Sequence, residues 1–215
     1  MTQIRADQEL ALSYASKPAR AGLEALLALD DTLGRILRTT REAMVGQLRL
    51  TWWFEALERL DREPPPAEPV LRALAAEVLH RGVTGAFLAG MIDGWEILLS
   101  EDAPDEQALE TFARERGGRL FQAMAMVAGA GDEQIAVAGE GWALADLAGN
   151  LSDAALRVRA KAMASNRLRA AFARRWSREG RFTGALALLA RFELEERGGP
   201  IRRVGRLLFH KATGR

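Results

Sequence analysis

Apolar residues recur along this chain at three- and four-residue spacing, and almost nowhere at every second position. Leu23, Leu26, Leu27, Leu33 and Leu37 form one such stripe. It predicts a helix over about 18–40, with Pro18 in its first turn. Val45, Leu48, Trp52, Trp53, Leu57 and Leu60 continue the pattern over about 42–61. The run Glu63-Pro64-Pro65-Pro66-Ala67-Glu68-Pro69 then interrupts it as a linker. Helices resume at about 68–80 and about 84–100, with Gly82 as a C-terminal stop. An acidic loop from Glu101 to Glu106 follows. Asp105 is the expected N-cap of a helix over about 105–130. Further helices are expected over about 132–156, 159–178 and 182–196. Gly198-Gly199-Pro200 breaks the last of these, and a final segment runs over Ile201–Ala212. No repeat and no strand pattern stands out. The fold class is therefore all-α, a single domain of about eight helices over residues 1–215.

Composition narrows the chemistry more than it names it. With 215 residues and 48% apolar content, the chain can bury a core without staples. It has no cysteine, which excludes disulfides, thiolate nucleophiles, Cys-ligated zinc and iron–sulfur clusters. Only two histidines, His80 and His210, are present, too few for a His-rich metal site. No apolar run reaches the ~18 residues of a membrane span and no signal-peptide pattern opens the chain. The expectation is a cytoplasmic protein, with peripheral attachment to the inner face of a membrane as a variant of it.

Net charge is +1, but its distribution is lopsided. Residues 1–110 hold 11 basic and 19 acidic side chains, whereas residues 154–215 hold 16 basic and 4 acidic. A positive surface of that size attracts phosphates or an anionic membrane. Nucleic acid is not expected, because no recognition motif accompanies the charge. In the segment 200–215, Ile201, Val204, Leu207, Leu208 and Phe209 alternate with Arg202, Arg203, Arg206 and Lys211. Such a basic amphipathic helix suits an anionic membrane surface. Its alternative is a helix docked on the body with solvated arginines.

The familiar nucleotide, metalloprotease and serine-hydrolase motifs are missing. In a helical protein the carboxylates matter most, since paired aspartates on one face can hold Mg²⁺ against diphosphate oxygens. Asp30-Asp31 is one candidate. Asp146 and Asp153, two turns apart with Asn150 between them, form another oxygen-rich stripe. Arg49 beside Trp52-Trp53 can stack or make cation–π contacts. Each of these also has a plain packing explanation.

Four stretches give these residues a common frame. They are Ala28–Ile36 continuing through Arg41–Leu57, Met91–Gly94, Phe112–Gly129 and Asp146–Asp153. The most specific piece is the Arg49-x-x-Trp52-Trp53-x-x-x-Leu57 pattern. Over about residues 8–156 the sequence resembles the squalene/phytoene synthase family. The resemblance implies an isoprenoid-synthase helical bundle. In active members two aspartate-rich motifs hold Mg²⁺ and the diphosphates of two prenyl substrates, which are joined head to head in an apolar tunnel. By the same resemblance, Gly34, Arg35 and Arg38 fall on the first motif. Asp153 falls on the first aspartate of the second motif and Arg157 on its partner, while Leu98 takes the acidic position after Ile92-Asp93-Gly94. Tyr14, the only tyrosine, cannot supply the family's active-site tyrosines.

The resemblance therefore implies a degenerate branch, similar to a mitochondrial assembly factor for respiratory complex I. On that expectation the protein is non-catalytic, with no metal or other cofactor. It binds a prenyl diphosphate or lipid-like ligand, or a protein partner in assembly, and Arg35, Arg38, Arg49, Trp53, Asn150 and Arg157 are its ligand-binding residues. The alternative is an active Mg²⁺-dependent prenyltransferase that uses Asp30, Asp31, Asp146 and Asp153.

Overall fold

The protein was described from a computed structural model covering residues 8–40, 42–99, 104–195 and 200–215. The acidic residues at 101–103 and the Gly198-Gly199 break lie outside the described residues. Among the described residues every regular element is a helix. The leucine stripe of the first segment is buried along α1 (Lys17–Thr39), which begins with Pro18 in its first turn. It is followed by α2 (Ala43–Arg59) and, after the proline linker, α3 (Pro69–Glu77). The Glu68 side chain caps α3 by accepting from the Leu71 backbone N–H at 2.9 Å. Gly82, with φ of 86°, ends the following 3₁₀ turn in the left-handed conformation that glycine alone adopts freely.

The expected helix over 84–100 is broken into α4 (Gly85–Ala89) and α5 (Met91–Glu96), with a 3₁₀ turn behind them. Asp105 caps α6 (Glu106–Phe112) as expected, accepting from Ala108 at 2.8 Å. From α6 the chain continues without a break into α7 (Arg119–Ala128), but residues Ala113–Gly118 between them form a π-helical segment. Next come α8 (Ile135–Asn150), α9 (Ala154–Ala171), α10 (Arg181–Glu195) and α11 (Pro200–Thr213). The expected helix over 132–156 thus stops at Asn150. Leu151 turns extended, and Asp153 accepts from the Leu156 N–H at 2.8 Å to start α9. An aspartate one residue ahead of an alanine-rich run is an N-cap signal, and here it outweighs the continuing apolar spacing.

Helix α8 is the central post. It packs against α9, the π segment, α10 and α7, while α1 packs against α3, α7 and α2. Two interlocking surfaces result, with α1 on one side and α8 on the other, and the π segment touching both through its side chains.

The C-terminal helix is docked by one face. Leu207 and His210 are buried, the Tyr14 hydroxyl donates to the Leu207 carbonyl at 2.8 Å, and the Trp176 backbone N–H donates to the Gly214 carbonyl at 2.8 Å. Burial pushes the His210 imidazole below its ordinary value. The unfolded chain takes up a proton that the docked ring resists, so this contribution is intact above the ordinary histidine value of about 6.5 and is lost below it. Denaturation at neutral and acid pH should therefore show a steeper loss for the native protein than for His210→Gln. Equal slopes would show that the ring is protonated while docked.

Candidate functional site

The π segment brings a charged residue into the core. Leu109, Phe112, Ala113, Leu120 and Phe121 form a buried stripe, and Arg116 lies on it, itself only 4% exposed. Three glycines let it get there. A Cβ on Gly94 would lie 2.8 Å from the Arg116 backbone nitrogen. Cβ atoms on Gly117 and Gly139 would each lie 2.1 Å from the other residue's carbonyl oxygen. Helix α5 and helix α8 therefore approach the π segment at backbone distance, which only glycine permits.

Once there, the guanidinium reaches carboxylates on two helices. Its Nε and Nη2 donate to the two oxygens of Asp30 on α1, at 2.8 and 2.9 Å, and its Nη1 donates to Asp146 Oδ2 on α8 at 2.6 Å. Asp30 is also 4% exposed. The indole of Trp95 lies 4.2 Å from the guanidinium carbon and that of Trp142 at 4.8 Å, close enough for cation–π attraction. Burial works against the Arg116 charge. Attraction to Asp30 and Asp146 and the hydrogen bonds they accept more than offset it, so the pKa stays above even the ordinary arginine value. The cluster is a bidentate clamp, closed by a third hydrogen bond, between two carboxylates on different helices.

An open cleft of about 400 Å³ lies over this clamp. Leu27, Ala28, Asp30, Asp31 and Arg38 of α1 form one wall, Trp142, Asp146 and Asn150 of α8 the other, and Gln8, Glu9 and Leu12 stand at its edge. A smaller hollow continues from Trp142 and Asp146 toward Leu186, Leu189 and Ala190 of α10. With Glu24, which also lines it, the main cleft has five carboxylates against the two guanidiniums of Arg38 and Arg116, a formal charge of −3. Asp31 and Arg38 pair with each other at 3.3 Å, both about half exposed, an arrangement worth little in stability.

Of the residues singled out in the sequence, the cleft gathers Asp30, Asp31, Arg38, Asp146 and Asn150. The others lie elsewhere. Asp153 is the N-cap of α9, and Arg157 donates to the Leu151 and Ser152 carbonyls behind it, at 3.1 and 3.0 Å. Arg35 donates to the Thr32 hydroxyl at 3.4 Å, and Arg49 donates to Thr40 at 3.0 Å, tying α2 to the end of α1. Trp53 is buried in the core, edge-on to Trp52. Asn150 bonds back to the Asp146 carbonyl at 2.8 Å. Gly34 has Trp95 beside it, 3.0 Å from where a Cβ would be. Arg116, the centre of the arrangement, was not among the sequence candidates. Its signal was present, as a charge on an apolar stripe is buried only with partners.

A family model described as squalene/phytoene synthase matches residues 3–174. The chain belongs to the squalene/phytoene synthase family. Its all-α architecture agrees with the fold of that family. Neither a curated protein nor a solved structure gives a significant match.

Membership in this family raises the question of Mg²⁺, and the residues present do not fit it. Both Asp30 oxygens and one Asp146 oxygen are bonded to Arg116. Asp153 is turned to its own helix. Among the described residues no three Asp, Glu or His side chains are grouped so as to hold a metal ion. A divalent ion placed between Asp30 and Asp146 would lie at contact distance from the like-charged Arg116 guanidinium, against strong repulsion, unless it displaced that buried group from its three hydrogen bonds.

Proposed function

We propose that this squalene/phytoene synthase-family protein is a non-catalytic, binding-type member. The observation that carries the proposal is the clamp: Arg116 bridges the two facing carboxylates, Asp30 and Asp146, from within the protein and offsets one of their two charges. The cation that would be a dissociable metal in a working synthase is here a side chain on the backbone. A metal can bridge carboxylate and diphosphate together, whereas this guanidinium gives three of its five N–H donors to the carboxylates and is fixed to the backbone beneath the cleft. The likeness to the complex I assembly branch rests on the same loss, with Gly34, Arg35, Leu98 and Arg157 where the resemblance puts acids.

The cleft's formal charge of −3 disfavours a bare diphosphate headgroup, which a cleft of that sign repels. Its walls of Leu12, Leu27, Ala28 and Trp142 suit a lipid-like or isoprenoid chain with an uncharged head. The test is incubation with farnesyl or geranylgeranyl diphosphate and Mg²⁺. Pyrophosphate release and organic-phase products are followed, alongside thermal protection by farnesol. Protection by the alcohol without pyrophosphate release is the expected result. Mg²⁺-dependent release that disappears in Asp146→Asn would overturn the proposal and make the protein a synthase with an unusual ligand set.

A further inference from the structure

The C-terminal helix has a second face that the body does not use. Leu207, His210 and Gly214 point inward. At 3.6 residues per turn, the opposite sector holds Val204, Gly205, Leu208, Phe209 and Ala212. Val204 is 53%, Leu208 60% and Phe209 50% exposed. Arg206 lies exposed on one border of this sector, while on the other the Lys211 ammonium turns back to the body, donating to the Ser13 carbonyl at 3.3 Å. Residues 200–215 contain five Arg or Lys and no Asp or Glu.

We infer that this outward face of α11 docks the protein onto an anionic lipid surface. The arrangement is that of a helix lying in the membrane plane, with an apolar strip facing the acyl boundary and Arg206 at its edge facing phosphates, in a segment that carries only positive charge. Neither part suffices alone. A short apolar strip gives marginal attachment, and border cations add to it only where the surface is negative. The inward face fixes the orientation: Tyr14 holds the Leu207 carbonyl and Arg181 donates to the Lys211 carbonyl at 2.6 Å. The helix is thus held rigid with its apolar strip away from the body, so attachment needs no undocking. Charge decides against the other exposed apolar stripe, Met44, Val45, Leu48 and Trp52 of α2. That helix carries Glu55 and Glu58 beside Arg49 and Arg59, and a mixed surface has no preference for anionic lipid.

The full-length chain is to be co-sedimented with vesicles of phosphatidylcholine alone and of phosphatidylcholine with phosphatidylglycerol. Binding to the anionic vesicles, weakened by salt and absent from the neutral ones, is expected. The double variant Leu208→Glu, Phe209→Glu should lower partitioning at least tenfold while leaving the circular dichroism and melting temperature unchanged, because both positions face solvent. Leu48→Glu on α2 should leave partitioning unaltered. No binding at low salt, equal binding to neutral vesicles, or undiminished binding of the double variant would each overturn the assignment. So would a dimer in sedimentation velocity that the same double variant dissociates, since the face would then belong to a second copy of the chain.

Discussion

Arg116→Met should lower the stability of the protein by about 3–5 kcal/mol, the usual loss when one partner of a buried ion pair is removed. The methionine fills much of the space but leaves the buried carboxylate of Asp30 facing that of Asp146 with no cation between them. For a chain of this size each kcal/mol shifts the melting temperature by about 2–4 °C. Calorimetry should therefore show a fall of roughly 10 °C. Lysine is not an adequate replacement, because an ammonium is a point charge and cannot give two parallel hydrogen bonds to one carboxylate and a third to another. The triple variant Arg116→Met, Asp30→Leu, Asp146→Leu should regain most of the loss, since an apolar cluster of similar volume carries no unpaired charge. A loss below about 1 kcal/mol for Arg116→Met alone would place it in the range of exposed pairs. It would mean that the cleft hydrates the carboxylates and that the clamp does not hold α1 to α8.

Gly139→Ala is the second large effect. The added methyl would meet the Gly117 carbonyl oxygen at 2.1 Å, and neither atom belongs to a side chain that can turn away. Helix α8 would have to retreat from the π segment by about an ångström, beyond the ordinary cost of overpacking, about 1–3 kcal/mol. A loss of at least about 3 kcal/mol in urea denaturation is expected. Because Asp146 rides on the same helix, the variant should also loosen the bond to Arg116. Gly149→Ala, nearly three turns further along α8 with nothing within 4 Å of the added carbon, is the control. It should be neutral or slightly stabilising, as alanine is the better helix former. A mild Gly139→Ala would show that the two backbones can part without harm.

The helices were legible because burial imposes its spacing on the sequence directly. The stripe of α1, the proline linker, the Gly82 stop and the Asp105 cap all act within a few residues of one another. Breaks were less legible. The spacing of apolar residues runs on past Asn150, and only the cap chemistry of Asp153 decides where α8 ends. That mistake matters for function, since it removes Asp153 from a stripe it shares with Asp146 on paper. The clamp was the least visible, because Arg116 and Asp30 are 86 residues apart and no local pattern reports a pair at that separation. What the sequence did carry was Arg116 on the stripe of Phe112 and Leu120, followed by Gly117-Gly118.

The π segment gives the clamp a history that can be read in other chains. A π turn holds one residue more than an α turn. Deleting one residue between Ala113 and Gly118 would let α6 and α7 close into one regular helix with both flanking faces kept, since the extra residue is what the π turn absorbs, and would change the facing only of the residues within the turn. Arg116 could then no longer face Asp30 and Asp146 while Gly117 stayed against Gly139. Loss or gain of the clamp is thus a change in length as well as a change of residue. Among related sequences it should appear as a single-position gap within this helix, and the gap would sort chains with a built-in cation from chains that leave the place to a metal.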